Sequence, residues 1–420
     1  MSTLHETART RTTDETARMR TTDETPRMGM TEYDVVVVGG GPSGATAAEH
    51  LARQGRSVLL LDRAGRPKPC GGAIPPRLIR DYAIPDHLIC ARISGARIVS
   101  PKDKSVDMPI DGGYVGMVDR DVFDEWLRVR AADAGAERVT GHYEAIERDG
   151  DGRAVVVYRT KDEVAHRVRA RLVVGADGAR SVIAKHHVKG GDKMPCVFAY
   201  HEIIRTPEGD PRYDGSRCDV IYNGRLSPDF YTWVFPHGHQ MSIGTGSARK
   251  GFSLRGAVTT FRREAGLDTA ETIRREGAPI PLKPLKKWDN NRDVLLAGDA
   301  AGVVAPASGE GIYYAMLGGE LAAQAGEAFL ASGDARALGL ARKRFMKAHG
   351  TVFWVLGMMQ YFWYKNDWTR ERFVKMCRDP DVQRLTWEAY MNKQLVRAKP
   401  FAHVKIFFKD LAHLLGLARA

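Results

Sequence analysis

The chain has 420 residues and a net charge of +12, a length that admits two packed domains around a large core. Its mean hydropathy is −0.33, and no run approaches the roughly 20 apolar residues of a spanning helix, which argues against an integral membrane protein. Five cysteines without a CxxC pair leave no metal site or disulfide framework to expect. The positive balance suits nucleic acid, an anionic membrane surface or an anionic substrate, and the lack of aromatic-basic RNA motifs and zinc spacings sets nucleic acid aside.

Taken in chain order, residues 6–27 hold a nine-residue repeat almost without apolar side chains. Such a segment buries no face, so residues 1–30 read as a disordered tail, with Met28 and Met30 both open as the native start. No apolar signal core precedes it, and the chain reads as intracellular and reduced. Residues 33–38 form a continuous apolar run, the pattern of a buried parallel strand. Residues 42–54 predict an Ala-rich helix ended by Gly55, and residues 57–61 a second strand with Asp62 at its end. Residues 168–174 and 293–297 are further strands that run into glycine motifs. Between them, 196–205, 217–223, 230–236 and 240–246 predict four strands joined by Gly, Pro and Asp turns. They suggest a largely antiparallel second layer that roofs a substrate cavity. Residues 311–330 predict a helix with apolar residues at helical spacing, and the chain from about Arg342 is helical and rich in aromatics.

Three glycine motifs far apart in sequence point to one ligand. Gly39-Gly40-Gly41-Pro42-Ser43-Gly44 lies between a strand and a helix. Gly39 permits the tight turn, Gly41 lets backbone approach a pyrophosphate, and Gly44 lets the helix pack on the strand. The helix N-terminus, with Ser43, offers N–H groups and partial positive charge to phosphates. Asp62, followed by Arg63, stands where an acid accepts from adenosine ribose hydroxyls. The second motif is Gly175-Ala176-Asp177-Gly178-Ala179-Arg180-Ser181. The third is Gly298-Asp299-Ala300-Ala301-Gly302, followed by Pro306-Ala307-Ser308-Gly309-Glu310-Gly311. Asp299 is placed to accept from a ribityl chain, and the helix opened by Gly309 and Gly311 to direct its dipole at the reduced flavin ring. A dinucleotide that touches all three regions is FAD rather than NAD.

Together with Lys68-Pro69-Cys70-Gly71-Gly72, Asp119-Arg120 with Phe123-Asp124, Tyr231-Thr232-Trp233-Val234-Phe235-Pro236 and the run from Gly298 to Ile312, these motifs carry a specific resemblance. The chain resembles the geranylgeranyl reductase family of FAD enzymes, within the para-hydroxybenzoate hydroxylase-like flavoprotein fold. The Pro-Cys-Gly-Gly element and the aromatic strand discriminate; the glycine motifs are shared by many flavoproteins. The stretch from Asp379 to Leu417 looks like the bacteriochlorophyll branch, which reduces the geranylgeranyl chain to phytyl. The resemblance implies an α/β (α+β) fold, with a FAD-binding Rossmann-like domain of GR2 type at 31–190 and 291–335 and a small insertion around 93–118. It implies an interleaved antiparallel-sheet substrate domain at 191–290 and a helical region at 336–420. Arg120 is then expected at the pyrophosphate, and Cys70, Gly71, Gly72 and Ile312 beside the flavin.

Cys70, Tyr231 and Trp233 are the candidate catalytic residues. Cys70, Tyr231 and water are the proton donors to weigh, and alternation of Tyr231, Trp233 and Phe235 places them on one sheet face, either as core or as the wall of a prenyl channel. No second GxGxxG occurs, so NADPH, the expected reductant, has no domain of its own and docks near 175–181; ferredoxin stays open as a donor. The expected substrate is geranylgeranyl-bacteriochlorophyll or geranylgeranyl diphosphate. The uncharged run 352–364, flanked by Arg342, Lys343, Arg344, Lys347 and Lys365, is too short to span. With the amphipathic segment 401–417 it suggests peripheral attachment on the cytoplasmic side of the inner, photosynthetic membrane, beside bacteriochlorophyll synthase or a small membrane protein. The alternatives are a flavin monooxygenase of the same fold and a non-enzymatic prenyl-binding escort protein.

Overall fold

The computed structural model describes residues 30–63, 68–207 and 209–393. The polar repeat at 6–27 and the amphipathic segment at 401–417 lie outside them. In chain order the first strands are β1 (Glu32–Val38), β2 (Val58–Asp62), β3 (Ala73–Ile74), β4 (Ala91–Ile93), β5 (Gly95–Val99), β6 (Ser105–Pro109), β7 (Val115–Met117) and β8 (Glu137–Arg148). The rest are β9 (Ala154–Thr160), β10 (Ala165–Gly175), β11 (Cys196–Arg205), β12 (Arg217–Ile221), β13 (Thr232–His237), β14 (Gln240–Ser247), β15 (Thr272–Pro281) and β16 (Val294–Leu296). The helices are α1 (Pro42–Arg53), α2 (Pro76–Asp81), α3 (Arg120–Asp133), α4 (Val182–His187), α5 (Leu254–Glu264), α6 (Ile312–Ser332), α7 (Leu340–Trp363), α8 (Asp367–Met376) and α9 (Pro380–Asn392).

The first sheet places β16, β10, β1, β2 and β8 side by side and parallel, with β9 antiparallel to both β8 and β10. Val35, Val36, Val37, Leu59, Leu60, Val173 and Val174 are fully buried here. Helices cover a parallel sheet on both faces, so its strands read as unbroken apolar runs. β1, β10 and β16 end at the three glycine motifs, and the parallel register brings those ends to one edge.

The second sheet has the order β15-β11-β14-β13-β12-β5-β6 and is antiparallel except at β12–β5. The four strands expected between 196 and 246 are β11 to β14. Two features were not legible. β5 and β6, from the stretch expected as a small insertion, join this sheet. β15 carries Arg274, Arg275, Pro279 and Pro281, a composition that hides an edge strand, since only an edge tolerates proline in a ladder. The aromatic residues Tyr222, Phe230, Tyr231 and Trp233 of this sheet form one cluster with Trp363, Tyr364 and Val374 of the C-terminal helices. No helix among the described residues is long and apolar enough to cross a membrane.

Candidate active site

A cleft of about 680 Å³ opens where the edge of the first sheet faces the second. Its walls come from Pro42, the loop Lys68–Gly71, Arg120, Asp299 and the turn Gly309–Ile312 on one side, and from His201, Trp233, Pro279 and Ile280 on the other.

The β1–α1 turn has little freedom. Gly39 adopts φ +104°, and a Cβ on Gly44 would run into the Gly39 carbonyl, so only glycine lets α1 start against β1. Gly41 is the N-cap of α1, and no side chain caps the helix. A Cβ on Gly41 would meet nothing within 4 Å. Beside it the Ser43 hydroxyl is buried without a hydrogen-bond partner. Asp62 accepts from the Gly40 N–H at 2.6 Å, which fixes its carboxylate under the same turn, and Arg63 is exposed next to it.

The α6 end is built in the same way. Gly298, Gly302 and Gly309 all take positive φ. Gly311 is the N-cap of α6, and the buried Glu310 before it accepts from the Tyr313 N–H in the first turn at 3.0 Å. Ile312 is buried and borders the cleft. The buried Asp299 forms an ion pair with Lys68, so the Pro-Cys-Gly-Gly loop is tied to the third glycine motif. Arg120 is buried and donates to both oxygens of Asp124 at 2.7 Å. Burial acts to lower its pKa, but the Asp124 carboxylate and the Cys70 thiol outweigh that and drive it upward.

The expected site residues do not all converge. Gly39, Gly41, Ser43, Gly44, Cys70, Gly71, Arg120, Trp233, Asp299, Gly309, Gly311 and Ile312 stand at or around the cleft. Asp177 does not line it. Its oxygens accept from the Ser181 hydroxyl at 2.5 Å and the Val182 N–H at 2.7 Å, which caps α4, and burial raises its carboxyl. Gly178 turns the chain beside it at φ +84°. Tyr231 gives its hydroxyl proton to the Ser308 carbonyl at 2.5 Å and stacks on Phe230 at 4.2 Å. Burial drives its phenol well above the usual tyrosine range. The Cys70 sulfur, half-buried, accepts from the Gly72 N–H at 3.4 Å.

Trp233 keeps its place through residues that the sequence did not single out. Its indole N–H donates to the Ser242 hydroxyl at 3.1 Å. That hydroxyl lies 2.8 Å from His201 Nδ1, and His201 Nε2 lies 3.1 Å from Glu276. With Ser242 accepting from the indole, its own proton goes to Nδ1, and Nε2–H goes to the carboxylate. Arg274 closes the chain on the other oxygen of Glu276. A lone histidine in a strand gives no signal of this. The alternation of Tyr231, Trp233 and Phe235 marked the face, and carrying it on two residues reaches His237, a signal that was there to be read.

Among proteins of known function, a geranylgeranyl diphosphate reductase of Rhodobacter capsulatus is 59% identical over 389 residues, 92% of this chain and 98% of that protein. The chain belongs to the geranylgeranyl reductase family. A geranylgeranyl diphosphate reductase of Synechocystis is 35% identical over 91% of this chain and 97% of that protein. A lycopene cyclase protein family model matches residues 34–201. Among solved structures, a geranylgeranyl bacteriochlorophyll reductase-like protein of Thermoplasma acidophilum superposes with a TM-score of 0.75 at 23% identity, covering 89% of this chain and all of that one. In this chain the Pro-Cys-Gly-Gly loop and the aromatic strand, the two discriminating elements of the sequence, pack on each other, a Cβ on Gly71 being only 2.9 Å from the Phe235 ring, and Cys70, Gly71 and Trp233 together line the cleft.

Proposed function

We propose that the chain is a FAD-dependent reductase that hydrogenates the geranylgeranyl group of a bacteriochlorophyll ester, or of geranylgeranyl diphosphate, to phytyl. The observation that carries this reading is the meeting of the N-termini of α1 and α6, the Cys70 loop and an aromatic sheet face in one cleft, together with the family relationship. What supports FAD is the fit of the donors. An unpartnered buried hydroxyl on Ser43, open space over Gly41 and the free end of α1 match a pyrophosphate. Asp62 would accept from the adenosine ribose hydroxyls and Asp299 from the ribityl hydroxyls, and the N-terminus of α6 would favour negative charge on the reduced flavin. When bound and reduced, FAD supplies the hydride that adds to one carbon of an isolated double bond.

The chain's own residues do the rest. Trp233, Pro279 and Ile280 give an apolar wall that orients a prenyl chain and excludes water. Cys70 is the protic group on the loop side, and its thiol proton goes to the other carbon. Tyr231, with its proton on Ser308, supports the wall rather than the proton transfer. NADPH is the reductant in this reading, docking transiently near 175–181. The enzyme sits peripherally on the cytoplasmic face of the photosynthetic membrane, where its lipophilic substrate is concentrated.

The test is product analysis. Protein incubated with geranylgeranyl-bacteriochlorophyll and NADPH should yield, by mass spectrometry, pigments heavier by two hydrogens for each bond reduced. A hydroxylated product formed only with O₂ would make it a monooxygenase, and colourless protein that binds prenyl ligand without turnover would make it an escort.

A further inference from the structure

His237 ends the aromatic strand β13 and is 5% exposed. Its ring bridges two acceptors. Nδ1 lies 2.9 Å from Asp119 Oδ1, and Nε2 lies 3.1 Å from the Gly71 carbonyl. A carboxylate and a carbonyl each call for an N–H, and a neutral imidazole has only one. Only a ring carrying a proton on each nitrogen satisfies both. Asp119 is itself held in place, accepting from the Gln240 amide at 3.2 Å. Burial raises its carboxyl, but the hydrogen bonds from His237 and Gln240 and the nearby positive charges together outweigh burial and hold it below the ordinary aspartate range.

The far end of this bridge is the loop beside the cleft. Gly72 takes φ +73°, and a Cβ there would strike the His237 ring and the Val118 carbonyl. The Val118 N–H donates to the Gly72 carbonyl at 2.9 Å. The loop therefore rests directly on the imidazole, with Cys70 one residue from the carbonyl it grips.

We propose that His237, held between Asp119 and the Gly71 carbonyl, is a positioning residue that fixes the Cys70–Gly72 loop against the cleft. This deepens the reductase reading and rests on it for its effect on turnover. Two further groups border the pair: Cys90, whose sulfur lies 3.5 Å from Nδ1 and whose thiol burial pushes up to about 12, and Arg274 from β15, whose charge acts on Asp119. Loss of the ring leaves the Gly71 carbonyl without its donor, and the loop loosens.

The test has two readouts on FAD-loaded protein. The first is independent of turnover: iodoacetamide labelling of Cys70, mapped by peptide mass spectrometry against Cys196 as internal reference. His237→Gln should raise the Cys70-to-Cys196 labelling ratio about tenfold, the factor that losing one hydrogen bond to a charged group carries. The second is the split between kcat and KM in prenyl reduction. His237→Gln and Asp119→Asn should each lower kcat severalfold with the KM for the prenyl substrate little changed, because the loop and not the apolar wall is loosened. If His237→Gln does not fold, Asp119→Asn alone carries both readouts. An unchanged labelling ratio, or a kcat equal to wild type in the folded variants, overturns the proposal. Wild-type protein that labels as expected but reduces no prenyl chain overturns the reductase reading and leaves the bridge standing.

Discussion

Asp299 shows what one residue contributes and how far it was legible. A strand running into Gly-Asp marked it as a ligand acceptor before any fold was known. Its partner Lys68 was not legible, because the two are 231 residues apart in sequence and ion pairs leave no pattern across such a gap. The same holds for the Trp233–Ser242–His201–Glu276 chain, whose members lie on four strands. The hydrogen bond of Tyr231, one of the three proton donors weighed, was not legible for a similar reason, since its acceptor is a backbone carbonyl in a distant turn. Asp299→Ala removes a charged acceptor from the proposed ribityl end, worth about 1.5–3 kcal/mol. The expected outcome is a flavin dissociation constant raised at least tenfold, read by fluorescence titration, with little change in melting temperature because Lys68 swings into solvent. Unchanged flavin affinity would move the ribityl end elsewhere.

At the scale of elements, the continuous apolar runs of the parallel sheet and the alternating strands of the second were readable from period alone. β15 was not, since an edge strand rich in Arg and Pro carries no such period, and the β5–β6 pair alternates over only five residues a strand, too short to stand out. α7 presents different aromatics to the body and to its outer side. Phe353 and Trp363 are buried against the body, whereas Trp354 and Tyr361 are 66% and 68% exposed, with Met358 and Phe362 exposed on the same face. Arg342, Lys343, Arg344 and Lys347 precede this face. Exposed aromatics beside basic residues are the composition of an interfacial helix, where burial of apolar area and attraction to anionic headgroups add. Trp354→Glu with Tyr361→Glu should cut co-flotation with anionic vesicles by about tenfold or more, since each basic residue near the surface contributes only about 1 kcal/mol and the apolar part is lost. The flavin spectrum should not change. Equal flotation of variant and wild type would take α7 out of the membrane account.

For the whole molecule, the relation between two sheets decides function. One brings its strand ends, with three glycine motifs, to a common edge; the other offers an aromatic face opposite. The motifs told of a dinucleotide, and the alternation told of a face, but their meeting in one cleft depends on long-range packing that no local period encodes. If flavin and prenyl chain share that cleft, reducing equivalents pass directly between them. The measurement that tests this most directly is an anaerobic single turnover. FAD-loaded protein is reduced with dithionite, freed of excess reductant and mixed with geranylgeranyl diphosphate or its bacteriochlorophyll ester while flavin absorbance is followed. The account predicts return of the oxidised spectrum in step with a product heavier by two hydrogens, and a rate lowered at least tenfold in Trp233→Ala, where loss of a large buried side chain removes several kcal/mol of contact. A flavin that stays reduced in the presence of both substrates, and reoxidises only when O₂ is admitted, would contradict it.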